Sequence, residues 1–396
     1  MKHIGIIITG TRGSGKSAIA KNLCAKSERF ARVEAVTTRG SRADDEAGVY
    51  RYVSEDEFSA MRDSGRLLVH TSYRDKHYGI ARDALVEVER HERIPVMVLT
   101  PESAAELAKT CLRANEDTYD PVRSYMTVFV DAPDEVLNER LKARGDPQDD
   151  AVTEQRRKDR EAKNAFYYVV QNSDLHSTTL LVSSLWEALG TGGVLPGPLI
   201  GLMLKCGMLL ERANADQVSG ASYDLSLGDE FFYGGRIRRL SKSDPILFIE
   251  PYDYAIVTSN ERASFPVDVC GRFDLAVNLF CQGIILSNGP QVDPGFHGPL
   301  FCLLFNTSSS PVLLKRRQHY ATLEFHRLTQ PTFRYRGEYE GKELLDYLPP
   351  NAARGAINEL KKELECLRVE SRRLHGLAYA ILTVLMAVIA ILIALK

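Results

Sequence analysis

The sequence has few of the features that mark metal sites, disulfide frameworks or nucleic-acid binding. Its 396 residues include seven cysteines, but none of them forms the C-x-x-C spacing of a zinc or redox site. The formal net charge of −2 argues against general electrostatic capture of nucleic acid or anionic lipid. We therefore expect no nucleic-acid partner, and we expect the soluble part of the protein to lie in the reducing cytoplasm.

The first part of the chain, residues 1–190, alternates short apolar runs with amphipathic segments, as strand and helix units do. This pattern predicts an α/β fold, a parallel sheet with helices on both faces. The apolar runs cover 4–9, 96–100, 124–130 and 180–182, and the amphipathic segments include 55–64 and 132–144.

A second, β-rich part is predicted for residues 199–330, after a linker at 191–198 that is rich in glycine and proline. A helix is expected over 199–210, and short β-type segments then recur between Gly, Pro, Asn and Asp residues. This pattern favours an all-β barrel or sandwich. The segments lie at 223–233, 253–259, 283–287, 299–306 and 320–328, and residues 331–355 are predicted to be a second linker.

A phosphate-binding loop follows the first apolar run. Residues 10–17, GTRGSGKS, fit G-x-x-x-x-G-K-[ST] between a predicted strand and a predicted helix. Such a loop turns backbone N–H groups toward phosphate oxygens, its lysine neutralises the β- and γ-phosphates, and its serine holds Mg²⁺. We therefore predict ATP and Mg²⁺ as cofactors, although a nucleotide site without turnover remains an alternative. The predicted ligands are Gly10, Gly13, Ser14, Gly15, Lys16 and Ser17, with Ser17 as the metal ligand.

Four further stretches resemble the guanylate kinase family: VTTRGSR at 36–42, GVYRYVS at 48–54, HYG at 77–79 and FYYVVQNSDL at 166–175. The resemblance spans nearly all of residues 1–190 and implies phosphoryl transfer from ATP to a nucleoside monophosphate. It implies that Arg39, Arg42, Tyr50 and Tyr78 bind the phosphate of the acceptor. It also implies that Lys16, Arg140, Arg144 and Arg157 neutralise the transferred phosphoryl group, with Arg156 as the alternative to Arg157.

The positions that should read the base depart from this family. Ala35, Val69, Ile80 and Thr100 stand where the family places polar or acidic groups that face guanine. A site without partners for the N1–H and N2–H donors of guanine would leave them unsatisfied. The segment 96–100 also carries no acid. We therefore expect an acceptor other than GMP, and phosphate binding without useful turnover stays open as an alternative.

The β-rich part is similar to the dCTP deaminases and the related dUTPases in the stretches SYDLSLG at 222–228 and QVDPGFHG at 291–298. In that family a glutamate on the strand after the DPG turn is the general base. Leu303 occupies its position here, Asp274 would repel a phosphate tail, and both serines of the family's GRSSLAR segment are missing. We therefore expect no deaminase or dUTPase activity. Either nucleotide sensing or trimerisation could remain, with Arg272, Gln291 and Asp293 as a second nucleotide site.

The C-terminal segment is predicted to be helical throughout. Residues 356–375 have apolar positions at alternating spacings of three and four, typical of a coiled coil. Residues 376–395 carry no charge and are long enough to span a bilayer as a helix. Because arginines precede this stretch, the positive-inside preference predicts a single-pass tail anchor with the N-terminal domains in the cytoplasm.

Two functions fit this arrangement. The first is a membrane-anchored nucleoside- or deoxynucleoside-monophosphate kinase that forms a homotrimer or higher homo-oligomer. The second is a non-enzymatic effector that senses nucleotides at the membrane, with anti-phage defence as one setting. A pure scaffold is favoured only if both nucleotide pockets prove empty.

Overall fold

The computed structural model describes residues 5–41, 45–73, 75–113, 125–145, 150–287, 291–348 and 356–394. The first part alternates strands and helices. Its strands are β1 (Ile6–Gly10), β2 (Phe30–Arg32), β3 (Ala35–Thr37), β4 (Tyr50–Tyr52), β5 (Leu67–Tyr73), β6 (Lys76–Ala81), β7 (Ile94–Val98), β8 (Met126–Asp131) and β9 (Tyr168–Gln171). Its helices are α1 (Lys16–Lys26), α2 (Glu55–Asp63), α3 (Arg82–Arg90), α4 (Pro101–Arg113), α5 (Asp134–Ala143), α6 (Asp150–Glu161) and α7 (Leu175–Glu187).

Five of these strands form one parallel sheet in the order β2-β7-β1-β8-β9. Every residue of β1 and β8 is buried, as expected for central strands of a parallel sheet covered on both faces. A smaller mixed sheet, β4-β3-β6-β5, lies beside it. The predicted α/β fold is confirmed.

The apolar run at 180–182 was expected to be a strand, and this expectation is wrong, since the run lies inside α7. The carboxylate of Asp174 caps that helix by accepting the backbone N–H of Ser177 at 3.0 Å. Leu181, Val182 and Leu185 are then buried at helical spacing. A short apolar run does not by itself distinguish a buried strand from one turn of a buried helix.

The second part is a β structure preceded by one helix. Its strands are β10 (Gly193–Val194), β11 (Leu209–Glu211), β12 (Ser222–Tyr233), β13 (Arg236–Arg239), β14 (Ile246–Ile249), β15 (Tyr254–Ser264), β16 (Val269–Leu275), β17 (Ile284–Leu286), β18 (Gln291–Val292), β19 (His297–Asn306), β20 (Val312–Lys315) and β21 (His319–Arg327). Its helices are α8 (Gly197–Lys205), α9 (Val277–Phe280) and α10 (Leu344–Tyr347), and the long helix α11 (Ala356–Ala394) follows.

Most of these strands belong to one curved antiparallel sheet whose main path is β17-β19-β15-β12-β21-β16-β18. This confirms the all-β expectation for the segment. The helix expected over 199–210 ends earlier, at Lys205, because Gly207 adopts a φ of 74° and the chain then enters β11.

The two predicted linkers contain ordered structure. Within 191–198, β10 pairs with β21, so that Gly193 lies opposite Arg327. Within 331–355, Leu344 is buried, and the ring of Tyr347 lies 4.4 Å from that of Phe301. Both segments therefore lie against the β structure over at least part of their length.

The two parts share a buried interface centred on β9. The hydroxyl of Tyr168 donates to Asp268 Oδ2 at 2.6 Å, and Arg327 Nε lies 3.5 Å from the same oxygen. Further along β9, the backbone N–H of Gln171 donates to the carbonyl of Cys206 at 2.8 Å. Buried apolar side chains of both parts also belong to one continuous cluster. The parallel sheet and the β structure are thus packed directly together.

Helix α11 is continuous over 39 residues, which corresponds to about 58 Å at 1.5 Å per residue. It contains the predicted coiled-coil segment and nearly all of the predicted membrane segment without a break. Within its stretch from Glu363 to Ala390, an 18-residue window has a mean hydropathy of 1.8, so this helix is long and apolar enough to cross a membrane, by length and composition alone. Leu364, Leu367 and Leu374 of the predicted seam are exposed in the single chain.

Tyr168→Phe should weaken the interface between the two parts. It removes the hydrogen bond to Asp268 and leaves a buried oxygen beside Arg327 less well satisfied, at a cost of about 1–3 kcal/mol. We expect the urea midpoint of unfolding to fall, measured on the full chain in detergent by fluorescence of Trp186, the single tryptophan. Tyr252→Phe is the control, because Tyr252 is 44% exposed. An equal midpoint for Tyr168→Phe and wild type would contradict this account.

Candidate phosphoryl-transfer site

The loop between β1 and α1 needs glycine at two of its positions. Gly10 and Gly15 have φ values of 132° and 94°, in the region that favours glycine. A Cβ at Gly10 would lie 1.9 Å from the carbonyl oxygen of Val130, and one at Gly15 would lie 2.4 Å from Asn172 Nδ2. The loop therefore packs against β8 and the end of β9, and it leads into the N-terminus of α1, where anions bind favourably.

Asn172, directly after β9, holds this loop in place. Its amide nitrogen donates to the carbonyl of Ser14 at 2.7 Å, and its amide oxygen accepts from the hydroxyl of Thr178 at 3.1 Å. Arg140 of α5 reaches the same point, because its guanidinium donates to the Asn172 carbonyl at 2.9 Å. These contacts bring Arg140 to the phosphate-binding loop.

Lys16 is held by neutral oxygens of the loop. Its Nζ donates to the carbonyls of Gly10 at 2.9 Å and Thr11 at 2.7 Å. Burial lowers the pKa of Lys16 to about 8, while the carboxylate of Asp159 acts in the opposite direction. Arg144 is close enough to contribute to this lowering. Lys16 and Arg140 therefore contact the same loop, and Arg144 lies near Lys16.

Asp131, an acidic residue that the sequence reasoning missed, also contacts the loop. Asp131, the last residue of β8, accepts from the hydroxyl of Thr11 at 2.9 Å and from Arg160 Nε at 2.8 Å. The signal was present in the sequence as an acid at the end of the apolar run 124–130. The family resemblance implied an acid at the end of 96–100, but that segment corresponds to β7, which lies on the other side of β1 from β8.

The arginines of α6 divide between two faces of that helix. Arg156 is buried and lies 3.0 Å from Asp134, and Arg160 bonds to Asp131 and Asp134. These hydrogen bonds, led by that from Arg160, lower the pKa of Asp134. Arg157 instead lies on the exposed face, 2.7 Å from Glu154. The structure therefore does not bring Arg157 to the phosphate-binding loop and places Arg160 closer to it.

The loop has groups that fit a magnesium nucleotide. Ser17 is an exposed hydroxyl in the first turn of α1, and the hydroxyl of Ser14 is buried with no hydrogen-bond partner in the described structure. Among the residues that the structure describes, no group of three or more His, Cys, Asp or Glu is placed to hold a metal. Mg²⁺ commonly binds through one or two protein oxygens together with the phosphates, so that Ser17 fits the metal ligand predicted for it.

The residues predicted to bind the acceptor phosphate lie on the smaller sheet. Arg39 follows β3, Tyr50 is on β4 and Tyr78 is on β6, while Arg42 lies outside the described residues. The guanidinium of Arg39 stands 5.0 Å from the Tyr50 ring. Tyr78 lies opposite Thr37 across the β3–β6 pair. Tyr50 and Tyr78 thus lie on the two strands that flank β3, and Arg39 lies just after the end of β3.

Three of the positions expected to face the base form an apolar row across β3, β6 and β5 of this sheet. Ile80 pairs with Ala35 on one side and with Val69 on the other. Val69 and Ile80 are buried in an apolar cluster. The hydroxyl of Thr100 donates to Ser103 Oγ at 3.1 Å and accepts the Ser103 backbone N–H at 3.3 Å. It is therefore already engaged at the start of α4.

In the β structure, the residues predicted for a second nucleotide site lie together. Arg272 of β16 is opposite Gln291 of β18, and Gln291 Nε2 donates to Asp293 Oδ1 at 3.1 Å. Leu303 lies on β19 opposite Ile256 of β15, between apolar residues rather than acids. A hydrocarbon side chain has no oxygen or nitrogen with which to take a proton from water.

Comparison with known proteins assigns both parts. Residues 2–189 match the guanylate kinase family model, and residues 201–328 match the dCTP deaminase-like model. The dCTP deaminase of Thermococcus gammatolerans is 33% identical over 135 residues, which cover 34% of this chain and 85% of that protein. The guanylate kinase of Chlamydia caviae is 28% identical over 187 residues, covering 46% of this chain and 86% of that protein. A crystal structure of guanylate kinase from Anaplasma phagocytophilum is 19% identical, with a TM-score of 0.37 and coverage of 47% and 86% respectively.

Asn172→Ala should loosen the phosphate-binding loop. The variant removes the donor to the Ser14 carbonyl, a loss of about 1–2 kcal/mol that corresponds to roughly tenfold weaker nucleotide binding. The measurement is calorimetry of the full chain with a non-hydrolysable ATP analogue. Asn164→Ala is the matched control, because Asn164 is an exposed asparagine of the same part. Unchanged affinity in a folded Asn172→Ala protein would contradict the role given to this amide.

Proposed function

The chain belongs to the dCTP deaminase-like family through residues 201–328 and carries a guanylate kinase domain over residues 2–189, and on this premise we propose that it is a membrane-anchored nucleotide kinase. It transfers a phosphoryl group from ATP to a nucleoside or deoxynucleoside monophosphate. The domain boundaries that we propose are 1–190 for the kinase, 199–330 for the β domain, 356–375 for a coiled coil and 376–395 for the anchor.

The observation that carries this proposal is the gathering of Lys16 and Arg140 around a loop fixed by Asn172. Backbone N–H groups of the loop and these cations would bind the phosphates of ATP, and Arg144 lies near Lys16. In phosphoryl transfer, catalysis is mainly positioning and charge stabilisation, which these residues can supply. When bound through Ser17, Mg²⁺ would supply further neutralisation of the phosphate charge. Arg160, held beside the loop by Asp131, is a better candidate than Arg157 for a cation on α6.

The acceptor is proposed to be a nucleotide other than GMP. The row formed by Ala35, Val69 and Ile80 has apolar side chains at the positions where guanine would need polar partners. Burying an unpaired donor of guanine there would cost about 1–3 kcal/mol. Arg39, Arg42, Tyr50 and Tyr78 would bind the acceptor phosphate, which every monophosphate carries.

The β domain is proposed to be non-catalytic. Leu303 at the position of the family's general base supports this, because water cannot be activated there without a proton acceptor. Its remaining roles are binding of a nucleotide near Arg272, Gln291 and Asp293, and formation of a homotrimer. Helix α11 supports an anchor beside this assembly, because its apolar stretch is exposed in the single chain.

A panel of nucleoside and deoxynucleoside monophosphates with Mg·ATP tests the kinase. We expect ADP formation that depends on the acceptor, with a monophosphate other than GMP as the best substrate. Lys16→Ala should lower the rate about a hundredfold or more, since a cation that stabilises the transferred charge is lost. Lys26→Ala is the control, as Lys26 lies at the far end of α1.

Absence of ADP formation with every acceptor, or an equal rate for Lys16→Ala, would contradict the kinase proposal. In that case nucleotide binding without turnover would favour the membrane effector. The same preparations should convert neither dCTP to dUTP nor dUTP to dUMP. Such conversion, if lost on substitutions around Leu303, would contradict the non-catalytic role of the β domain.

Ending the chain at His375 should release the protein from membranes. The truncation removes the uncharged stretch, whose burial in the bilayer would hold the chain there, and leaves the kinase residues intact. We expect the truncated chain in the soluble fraction after cell lysis and the full chain in the membrane fraction after a salt wash. Removal of Lys396 alone is the control. Recovery of the full chain in the soluble fraction would contradict the anchor.

A further inference from the structure

Arg39 is paired within the protein through the guanidinium nitrogens that suit a phosphate. Its Nη1 donates to Asp45 Oδ2 at 2.9 Å, and its Nη2 donates to Asp45 Oδ1 at 2.8 Å. The hydroxyl of Tyr52 also donates to Asp45 Oδ2, at 2.6 Å. Both charged side chains are only 12% exposed, so that the pair is shielded from water and weakly screened.

A carboxylate and a phosphate bind arginine with the same bidentate geometry. Both accept two parallel N–H bonds from the fork of the guanidinium. Nη1 of Arg39 has a further partner in the carbonyl of Gly40 at 2.9 Å, so both of its hydrogens are in use. The hydrogen bond with Asp45 also raises the pKa of Arg39. A monophosphate that binds this fork must therefore first displace the carboxylate of Asp45.

We propose that Asp45 is a built-in competitor of the acceptor phosphate, which keeps Arg39 closed until a monophosphate displaces it. This inference rests on the proposed kinase function and adds regulation of the same site. Tyr52 stabilises the closed state, because its hydroxyl holds the oxygen that Nη1 binds. A phosphate carrying nearly two negative charges competes better for the fork than a group with a single charge, so a monophosphate can displace the carboxylate.

The neighbouring charged residues that the structure describes pair with partners other than Arg39. Glu46, the next residue, pairs with Lys21 at 2.5 Å, and both of these side chains are about half exposed. Arg51 of β4 lies 3.7 Å from Glu57 and from Asp83, also with its side chain exposed. In the described part of the chain, Asp45 is the carboxylate with hydrogen bonds to Arg39. Removal of the negative charge of Glu46, as in Glu46→Gln, therefore provides a matched control for removal of the charge of Asp45.

Equilibrium binding of a panel of nucleoside monophosphates to the full chain in detergent tests the inference without requiring turnover. Asp45→Asn should tighten binding about tenfold, since a hydrogen-bonded ion pair no longer has to be broken. Tyr52→Phe should give a smaller gain in the same direction, and Glu46→Gln should give none. Arg39→Ala in the Asp45→Asn background should abolish the gain. Nucleosides without phosphate should bind Asp45→Asn and wild type equally.

Two results separate this inference from the proposed function. If wild type binds a monophosphate and Asp45→Asn binds it equally or more weakly, the inference is overturned and Asp45 instead orients Arg39 for the acceptor. If neither protein binds any monophosphate, the acceptor role of Arg39 fails as well, and the proposed kinase function fails with it. A thermal melt confirms that each variant is folded, and Tyr52→Phe gives an independent reading should Asp45→Asn not fold.

Discussion

The hydrogen bond from Asn172 to the Ser14 carbonyl is the contact on which the proposed kinase site depends. It joins the end of β9 to a loop whose glycines leave no room for other side chains. Arg140 bonds to the backbone of the same asparagine. One residue thus sets the position of the loop and of a cation beside it, and the rest of the site is built outward from this point.

Strand β9 extends this constraint to the second domain. Tyr168, at the start of β9, hydrogen-bonds to Asp268. Gln171, at its end and directly before Asn172, hydrogen-bonds to the carbonyl of Cys206. A displacement of the β domain would therefore act on the strand that ends at the phosphate-binding loop. Arg327 is also buried at this interface, where its Nε lies 3.5 Å from Asp268 Oδ2, so removal of Asp268 would leave a buried charge without its partner.

The sequence allowed prediction of features that are local in the chain. The phosphate-binding loop lies within eight consecutive residues, and the positions of its glycines predict the backbone conformation directly. The alternation of strands and helices likewise predicted the parallel sheet. The contact between Asp131 and Arg160 joins residues 29 positions apart, and that between Tyr168 and Asp268 joins residues 100 apart. Such pairs depend on how the helices and strands pack against one another, which local sequence patterns do not predict. The same reason explains why Arg157 was predicted at the site and Arg160 was not, since the face of α6 that packs toward the loop depends on tertiary contacts.

The two proposed phosphate sites differ in what a ligand would have to displace. Lys16 and Arg140 are held by neutral carbonyl oxygens, so a phosphate replaces dipoles with a full negative charge and gains electrostatic energy. Arg39 is held by a carboxylate, so a phosphate there exchanges one anion for another. The gain is then only the difference between two ion pairs. On the proposed assignment, the side that would bind the nucleotide triphosphate is therefore open to an anion in the free protein, while the side that would bind the acceptor is already neutralised by Asp45.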